Sequence, residues 1–349
     1  MQIAIIGAGV AGLAAARALR LRQPGSAITI YEKSRGLGGR AATRRRGVYA
    51  FDHGAQIFKA PGDAMLRLVR EELPAGDLFD VGRPVWLFDA AGAIAEGDAE
   101  LNAEPQWNYR DGINRLGKLL ADGADVRREV RIGALRRASG AWRLVDEQGQ
   151  EVGSADRVLL TAPAPQSAAI VAASDIPAAL RDTLGAALDQ ARYRRCISFA
   201  LAYEQPLDRP FYALLNADRR HPIAWLGLEH TKGILRCPAR QSLLIAQLAP
   251  EYSLAQWETP AEELAPAIAE MVSALLGEDL RRPALFDRQG WRYALPDSAA
   301  DADALAAGAE AGLFFAGDFL TRQGRVHLAI ESGRQAAEKI ADYRLKIED

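Results

Sequence analysis

Three glycines near the start of the chain carry the first chemistry. Gly7, Gly9 and Gly12 follow the apolar run Gln2-Ile3-Ala4-Ile5-Ile6 and precede an alanine- and arginine-rich stretch that reaches about Arg22. A second apolar run, Ala27 to Tyr31, ends in Glu32, twenty residues past Gly12. In a strand–turn–helix–strand context, Gly7 makes the tight turn and Gly9 lets backbone approach a pyrophosphate. Gly12, next to Ala11, lets the helix close on the strand. The helix start offers free N–H groups to phosphate oxygens. Glu32 can accept hydrogen bonds from a ribose diol. The spacing predicts a dinucleotide site; the alternative is a glycine-rich turn in an ordinary βα unit.

Other candidates flank this one. Lys33 to Arg40 is a cationic, glycine-containing loop just after the second strand, with Gly39 beside Arg40. Arg40 can pair with phosphate oxygens through a charge-assisted fork. The competing reading is a solvated basic loop that continues into Arg44-Arg45-Arg46. The segment from Phe51 to Phe58 holds polar residues and Gly54 between aromatics, which suits backbone meeting a flat ring. His53 there is a chemical candidate or a structural histidine. At the far end, the apolar run Gly312 to Ala316 leads into Gly317-Asp318, and a helix is expected from Arg325 to Tyr343. Such a unit can set a carboxylate beside a ribityl chain and aim a helix dipole at a flavin ring. A second nucleotide motif at the far end is what FAD requires and NAD does not. No Ser-His-Asp set or metal-ligand cluster competes.

Composition narrows the partners. The 349 residues suffice for two domains. Apolar content of 49% with 25% charged residues is ordinary for a soluble globular protein. A net charge of −2 gives no reason to expect nucleic acid or an anionic membrane surface. Cys196 and Cys237 fit no metal spacing. The run from Ile3 to Ala16 is too short to span a bilayer, and no Lys or Arg precedes it. A soluble, cytoplasmic protein without metal is expected.

The elements that must position these residues can be read in order. Val85 to Phe88 and the turn Asp89 to Gly92 form a hairpin, and a helix runs from about Ile113 to Leu120. Asp125 to Leu135 reads as one strand, Trp142 to Val145 pairs across Asp146 to Gly149, and Arg157 to Thr161 closes the block. An alanine-rich helical stretch follows, then antiparallel strands at Cys196–Tyr203, Ile223–Leu228 and Ser242–Leu248. The apolar spacing of Leu264, Ile268, Val272, Leu275 and Leu276 predicts a helix over 262–276. The expected fold is α/β: a Rossmann-like FAD-binding domain from 1–60, 105–165 and 286–349. A mixed or antiparallel β-sheet substrate domain comes from 61–104 and 166–285, with the active site between the two.

Arg35-Gly36-Leu37-Gly38-Gly39-Arg40, followed by Phe51-Asp52-His53-Gly54-Ala55-Gln56, resembles the FAD-dependent amine-oxidase-like flavoproteins. It is most similar to their renalase-like branch. The likeness continues through Pro105-Gln106-Trp107, Thr161 to Gln166, Trp225 with Lys232, Trp291 to Ala294, Ala316-Gly317-Asp318, Gly324-Arg325-Val326 and Ser332-Gly333. The resemblance implies non-covalent FAD held by Gly7, Gly9, Ala11, Gly12, Glu32, Lys33, Gly39, Arg40, Gly54, Ala55, Gln56, Gly317, Asp318 and Val326. It places the backbone of Val130 against adenine, where a plain core valine is the alternative. It implies an oxidase in which the flavin itself carries the chemistry. Hydride comes from dihydro isomers of NAD(P)H, small molecules stacked near Gln56, Ile57, Phe58, Trp107, Gln247, Trp291 and Tyr293, and dioxygen is the acceptor. The family often has His where Gln247 stands and His-Arg where Gln289-Gly290 stand. An amine oxidase of the wider superfamily and a non-catalytic flavin-binding sensor are the rival readings.

Overall fold

The computed structural model describes residues 1–343; the end of the expected segment 286–349, residues 344–349, lies outside them. The described chain forms two compact units. One comprises residues 1–40, 116–193 and 295 onward, the other 41–115 and 194–294.

The first unit is built on a five-stranded parallel sheet in the order Leu313–Phe315, Arg157–Leu160, Gln2–Ile6, Ala27–Glu32, Asp125–Arg128. Ile3, Ala4, Ile5 and Ile6 are all buried, as a central strand covered on both faces requires. Helix Val10–Arg22 leaves the glycine turn and packs on helix Val326–Asp342. Gly333 permits that approach: a Cβ there would fall 2.1 Å from Ala11 O.

The single strand expected from 125 to 135 is broken. Glu129 turns through φ 60, and the Val130 amide donates to Glu32 O at 3.0 Å. The chain thus leaves the parallel sheet and enters an antiparallel meander of Ile132–Ala138, Ala141–Asp146 and Glu151–Ala155.

The second unit holds a seven-stranded mixed sheet. Its order is Leu285–Pro296, Tyr193–Tyr203, Ser242–Leu248, Ile223–Leu228, Ala213–Asn216, Val85–Phe88, Ile94–Ala95. Alternation along Ser242–Leu248 divides its two faces. Leu244 and Ala246 pack with Phe199 and Leu201 under helix Ala261–Leu276, through Leu264, Ile268, Val272, Leu275 and Leu276. Leu243 and Ile245 face the other way, against Tyr49 and Phe51 of the hairpin Thr43–Arg46 and Tyr49–Asp52.

The unit borders therefore fall after residues 40, 115, 193 and 294, not at 60, 105, 165 and 286. Packing explains each shift. The hairpin of 43–52 lies on the second sheet, and Trp107–Tyr109 pairs with Leu78–Asp80. Residues 286–294 continue the edge strand. Helices Ala164–Ala172 and Ala178–Asp189 instead bury Ile170, Val171, Leu184 and Leu188 beside Trp142 and Leu160 in the first unit. Among the described residues, no helix is long and apolar enough to cross a membrane.

Candidate active site

In the first unit, the three motif glycines meet three different surroundings. Gly7 has φ 113, and a Cβ there would stand 2.7 Å from Thr161 Oγ1. At Gly12 a Cβ would stand 2.1 Å from Gly7 O, so only glycine lets the helix sit this close. Gly9 faces open space, with no heavy atom within 4 Å of its Cβ position. Gly9 is also the N-cap of helix Val10–Arg22 and has no side chain with which to cap it. The first-turn N–H groups beside an open face suit a phosphate.

The loop after Glu32 folds back onto this turn. Gly38 N donates to Ala8 O at 2.8 Å. Gly39, at φ 61, would bring a Cβ within 3.1 Å of Gly9 Cα. Gly117 closes the stack from helix Asn114–Leu120: a Cβ there would lie 2.6 Å from Gly38 Cα. Sequence reading passed over Gly117. Its signal was a glycine inside a helix, where it costs about 1 kcal/mol against alanine. Glu32 is buried, and its Oε2 accepts from Ala8 N at 2.7 Å and its Oε1 from Ser34 N at 2.8 Å. Each oxygen keeps acceptor capacity for a diol. Ala11 is buried, Lys33 Nζ donates to Gln166 Oε1 at 2.9 Å, and Val130 pins the end of the Glu32 strand.

The C-terminal motif joins the same unit. Asp318 accepts a two-point fork from Arg40: Nη1 to Oδ2 at 2.8 Å and Nη2 to Oδ1 at 2.8 Å. The Tyr193 hydroxyl donates to Asp318 Oδ1 at 3.1 Å. Burial, then the Asp318 charge, pushes the Tyr193 phenol up, so it stays a neutral donor. Gly317, at φ 144, is held by its N–H to Ser332 Oγ at 3.0 Å. Val326 opens the last helix, whose N-cap, Arg325, makes no side-chain capping bond. An open glycine face, two helix starts without side-chain caps, a buried ribose-type carboxylate and a Gly-Asp turn fit FAD. Gly7, Gly9, Gly12, Glu32, Gly39, Arg40, Gly317 and Asp318 would hold it.

In the second unit, Gly54, Ala55 and Gln56 lie on a segment anchored by a buried charge network. Asp52, Glu229, Lys232 and Arg236 have fully buried side chains. Asp52 Oδ1 accepts from Thr43 Oγ1 at 2.6 Å and Ile113 N at 3.0 Å, and lies 3.1 Å from Arg236 Nη1. Its Oδ2 accepts from Asn108 Nδ2 at 2.9 Å and Lys232 Nζ at 3.1 Å. Glu229 meets Arg236 Nη1 at 2.7 Å and Lys232 Nζ at 2.8 Å. Two carboxylates and two cations balance. Burial alone would raise the Asp52 carboxyl, but Lys232 and Arg236 hold it well below the usual range. The two carboxylates hold Lys232 and Arg236 in their charged forms, while burial raises the Glu229 carboxyl above its usual range. Sequence reading named Asp52 and Lys232 of this set, both as marks of resemblance, and passed over Glu229 and Arg236.

The network fixes the loop beside it. Asn108 Nδ2 also donates to Gln56 O at 2.8 Å, and Gln56 Nε2 donates to Asp52 O. Gln247 Nε2 donates to Gly54 O at 2.7 Å. Trp291 Nε1 donates to His53 O at 2.7 Å, and the two rings stack at 5.3 Å. Burial, then the Arg44 charge, pushes the His53 imidazole down to about 4, so it is neutral at pH 7.

The expected substrate residues thus divide by surroundings. Trp291 and Gln247 hold the 53–54 backbone. Phe58 is buried against Tyr109, 6.0 Å between ring centroids. Trp107 exchanges backbone bonds with Phe58 and lies under Arg70. Ile57 packs beside Tyr212 and Ala213, and Tyr293 lies half-buried on the edge strand. Gly290 receives the Trp257 ring: a Cβ there would come 3.0 Å from Trp257 Cη2. Gln289 is held by Arg44. Among the described residues, no group of three or more His, Cys, Asp or Glu could hold a metal ion.

Comparison with known proteins places the chain by family and fold. Residues 78–341 match the flavin containing amine oxidoreductase family, and residues 5–71 match an NAD(P)-binding Rossmann-like domain. Over 61 residues the chain is 44% identical to a 4,4'-diapophytoene desaturase of Staphylococcus aureus. That match covers 18% of this chain and only 12% of the desaturase. Solved structures share the fold. Cyclohexylamine oxidase from Brevibacterium oxydans IH-35A aligns at 14% identity and TM-score 0.76 over 98% of each chain. A protein of Exiguobacterium sp. 255-15 assigned as a protoporphyrinogen oxidase aligns at 17% identity and TM-score 0.77, over 97% of this chain and 98% of the other. The chain belongs to the flavin containing amine oxidoreductase family and is an FAD-dependent oxidoreductase.

Proposed function

We propose that this flavoprotein is a renalase-like oxidase that takes hydride from dihydro isomers of NADH or NADPH and passes the electrons to dioxygen. The FAD is held non-covalently, and the protein works in the cytoplasm. The observation that carries the reading is that the polar side chains of the 53–56 loop are neutral and the buried charges beside it are paired. Asp52 and Glu229 are matched by Lys232 and Arg236. His53 is neutral, and Gln56, Gln247 and Trp225 offer only amides and an indole N–H. An amine is protonated at neutral pH and must lose a proton before hydride leaves. A dihydropyridine needs no base, because its own ring nitrogen pushes the hydride out.

FAD supplies the two-electron acceptor when bound. The hydride and one proton together reduce dioxygen to hydrogen peroxide, and the pyridinium dinucleotide is released. Gly7, Gly9 and Gly12 admit the pyrophosphate, Glu32 orients the ribose, and the Arg40–Asp318 fork joins the two nucleotide motifs. An amine substrate is the second reading, favoured by the fold shared with cyclohexylamine oxidase.

Anaerobic stopped-flow mixing separates the two. The 2- and 6-dihydro isomers should bleach the flavin within seconds, with peroxide appearing after air is admitted. Faster bleaching by simple amines would transfer the assignment to amine oxidation.

A further inference from the structure

Two buried polar atoms in the second unit lack partners and lie close to one point. Trp225 Nε1 is a donor and Gln56 Oε1 an acceptor, and neither makes a hydrogen bond. A Cβ placed on Gly227 would stand 3.0 Å from the first and 3.5 Å from the second. The atoms are held, not loose. Gln56 is only 6% exposed, and its Nε2 is committed to Asp52 O and Gly54 O, so its amide orientation is fixed. The Trp225 ring meets Tyr212 edge-on at 5.9 Å. Trp225 pairs in register with Gln247, which pairs in register with Ser198, whose buried Oγ also lacks a partner. A polar row therefore crosses a sheet whose next rows are apolar, and Trp225 and Gln247 in it are only half-buried.

Leaving a buried donor and acceptor unmade costs roughly 1–3 kcal/mol each, so such a pair asks for a ligand. The complement must accept from an indole N–H and, at an adjacent atom, donate to an amide oxygen. A carboxylate satisfies Trp225 but sets negative charge against Gln56 Oε1. An ammonium satisfies Gln56 but faces the Trp225 N–H with another donor. A primary carboxamide satisfies both.

We propose that Trp225 Nε1 and Gln56 Oε1 form a carboxamide clamp, which selects substrates bearing a neutral primary amide on the reacting ring. This rests on the dihydronicotinamide reading and adds the group by which the ring is recognised.

The test uses oxidised holoenzyme and three probes read by perturbation of flavin absorption: NAD+, its 3-acetylpyridine analogue and its nicotinic-acid analogue. Wild type should bind the carboxamide about tenfold tighter than the acetyl analogue, which cannot donate to Gln56, and should bind the acid more weakly still. Trp225→Phe should weaken carboxamide and acetyl ligands alike by about tenfold while keeping the ratio between them. Equal binding of all three by wild type means that the pair holds water only, and overturns the clamp. So does a Trp225→Phe protein that folds, binds FAD and loses no affinity. If the dihydro isomers bleach the flavin but the probes are not distinguished, the clamp alone fails. If no isomer bleaches it, the functional reading fails and the clamp with it.

Discussion

Arg40 grips Asp318 through both terminal nitrogens across 278 residues of sequence. One residue belongs to the loop behind the first nucleotide motif and the other to the motif at the far end. A planar guanidinium matches a carboxylate in this way and an ammonium does not. Arg40→Lys should weaken FAD binding by about tenfold, and Asp318→Asn by a similar factor. Because the two act as one fork, the double variant should lose clearly less than the product of the two factors. Fluorescence titration of apoprotein with FAD measures this, and strictly multiplicative losses would show that the residues act separately.

Glu32 has a double task, since both carboxylate oxygens already accept backbone N–H groups. Glu32→Ala should lower FAD affinity by about tenfold or more, through loss of a charged acceptor. Glu32→Gln should also lower the stability of the apoprotein, because its NH2 must face an N–H of Ala8 or Ser34. An unaltered apoprotein melting temperature in the Gln variant would contradict this account.

Lys232 lies between Asp52 and Glu229 with no exposed surface. Lys232→Met leaves two buried carboxylates with one cation, at a cost of about 3–5 kcal/mol. Adding Glu229→Gln restores the balance and should recover part of the loss. Urea unfolding of the three proteins decides it; a Lys232→Met protein as stable as the parent would remove the network from the account.

His53 gives the protein a pH signature. Its imidazole titrates at about 4 when folded and near 6.5 when unfolded. Between those values the unfolded chain binds a proton that the folded chain refuses, so stability rises with pH through that window. The neutral imidazole carries no penalty above pH 6.5, and by pH 5 the loss should be about 2 kcal/mol. His53→Gln should flatten the rise in melting temperature between pH 5 and 7. It should do so only in part, because burial lowers His221 and His327 in the same direction.

What the sequence revealed was mostly local. The strand–turn–helix from Gln2 to Arg22, Glu32, the Gly317-Asp318 turn and helix Ala261–Leu276 all follow from short-range patterns. What stayed hidden was pairing at long range. Asp52 finds Lys232 180 residues away and Asn108 56 residues away. A buried ion pair leaves no periodic trace. The alanine-rich helices from Ala164 to Asp189 gave no sign of which sheet they cover, because their apolar faces suit either. The break at Glu129 was concealed because a non-glycine residue takes the left-handed turn.

The contact between Gly290 and Trp257 couples two positions that lie 33 residues apart in sequence. A side chain at residue 290 would meet the Trp257 indole at once, so the ring must give by a few tenths of an ångström to admit even a methyl group. A smaller residue at 257 would open that space but forfeit the indole's contacts with the Arg195 and Arg288 guanidinium groups. The two positions are therefore coupled, and a library that varies residue 290 should vary residue 257 with it.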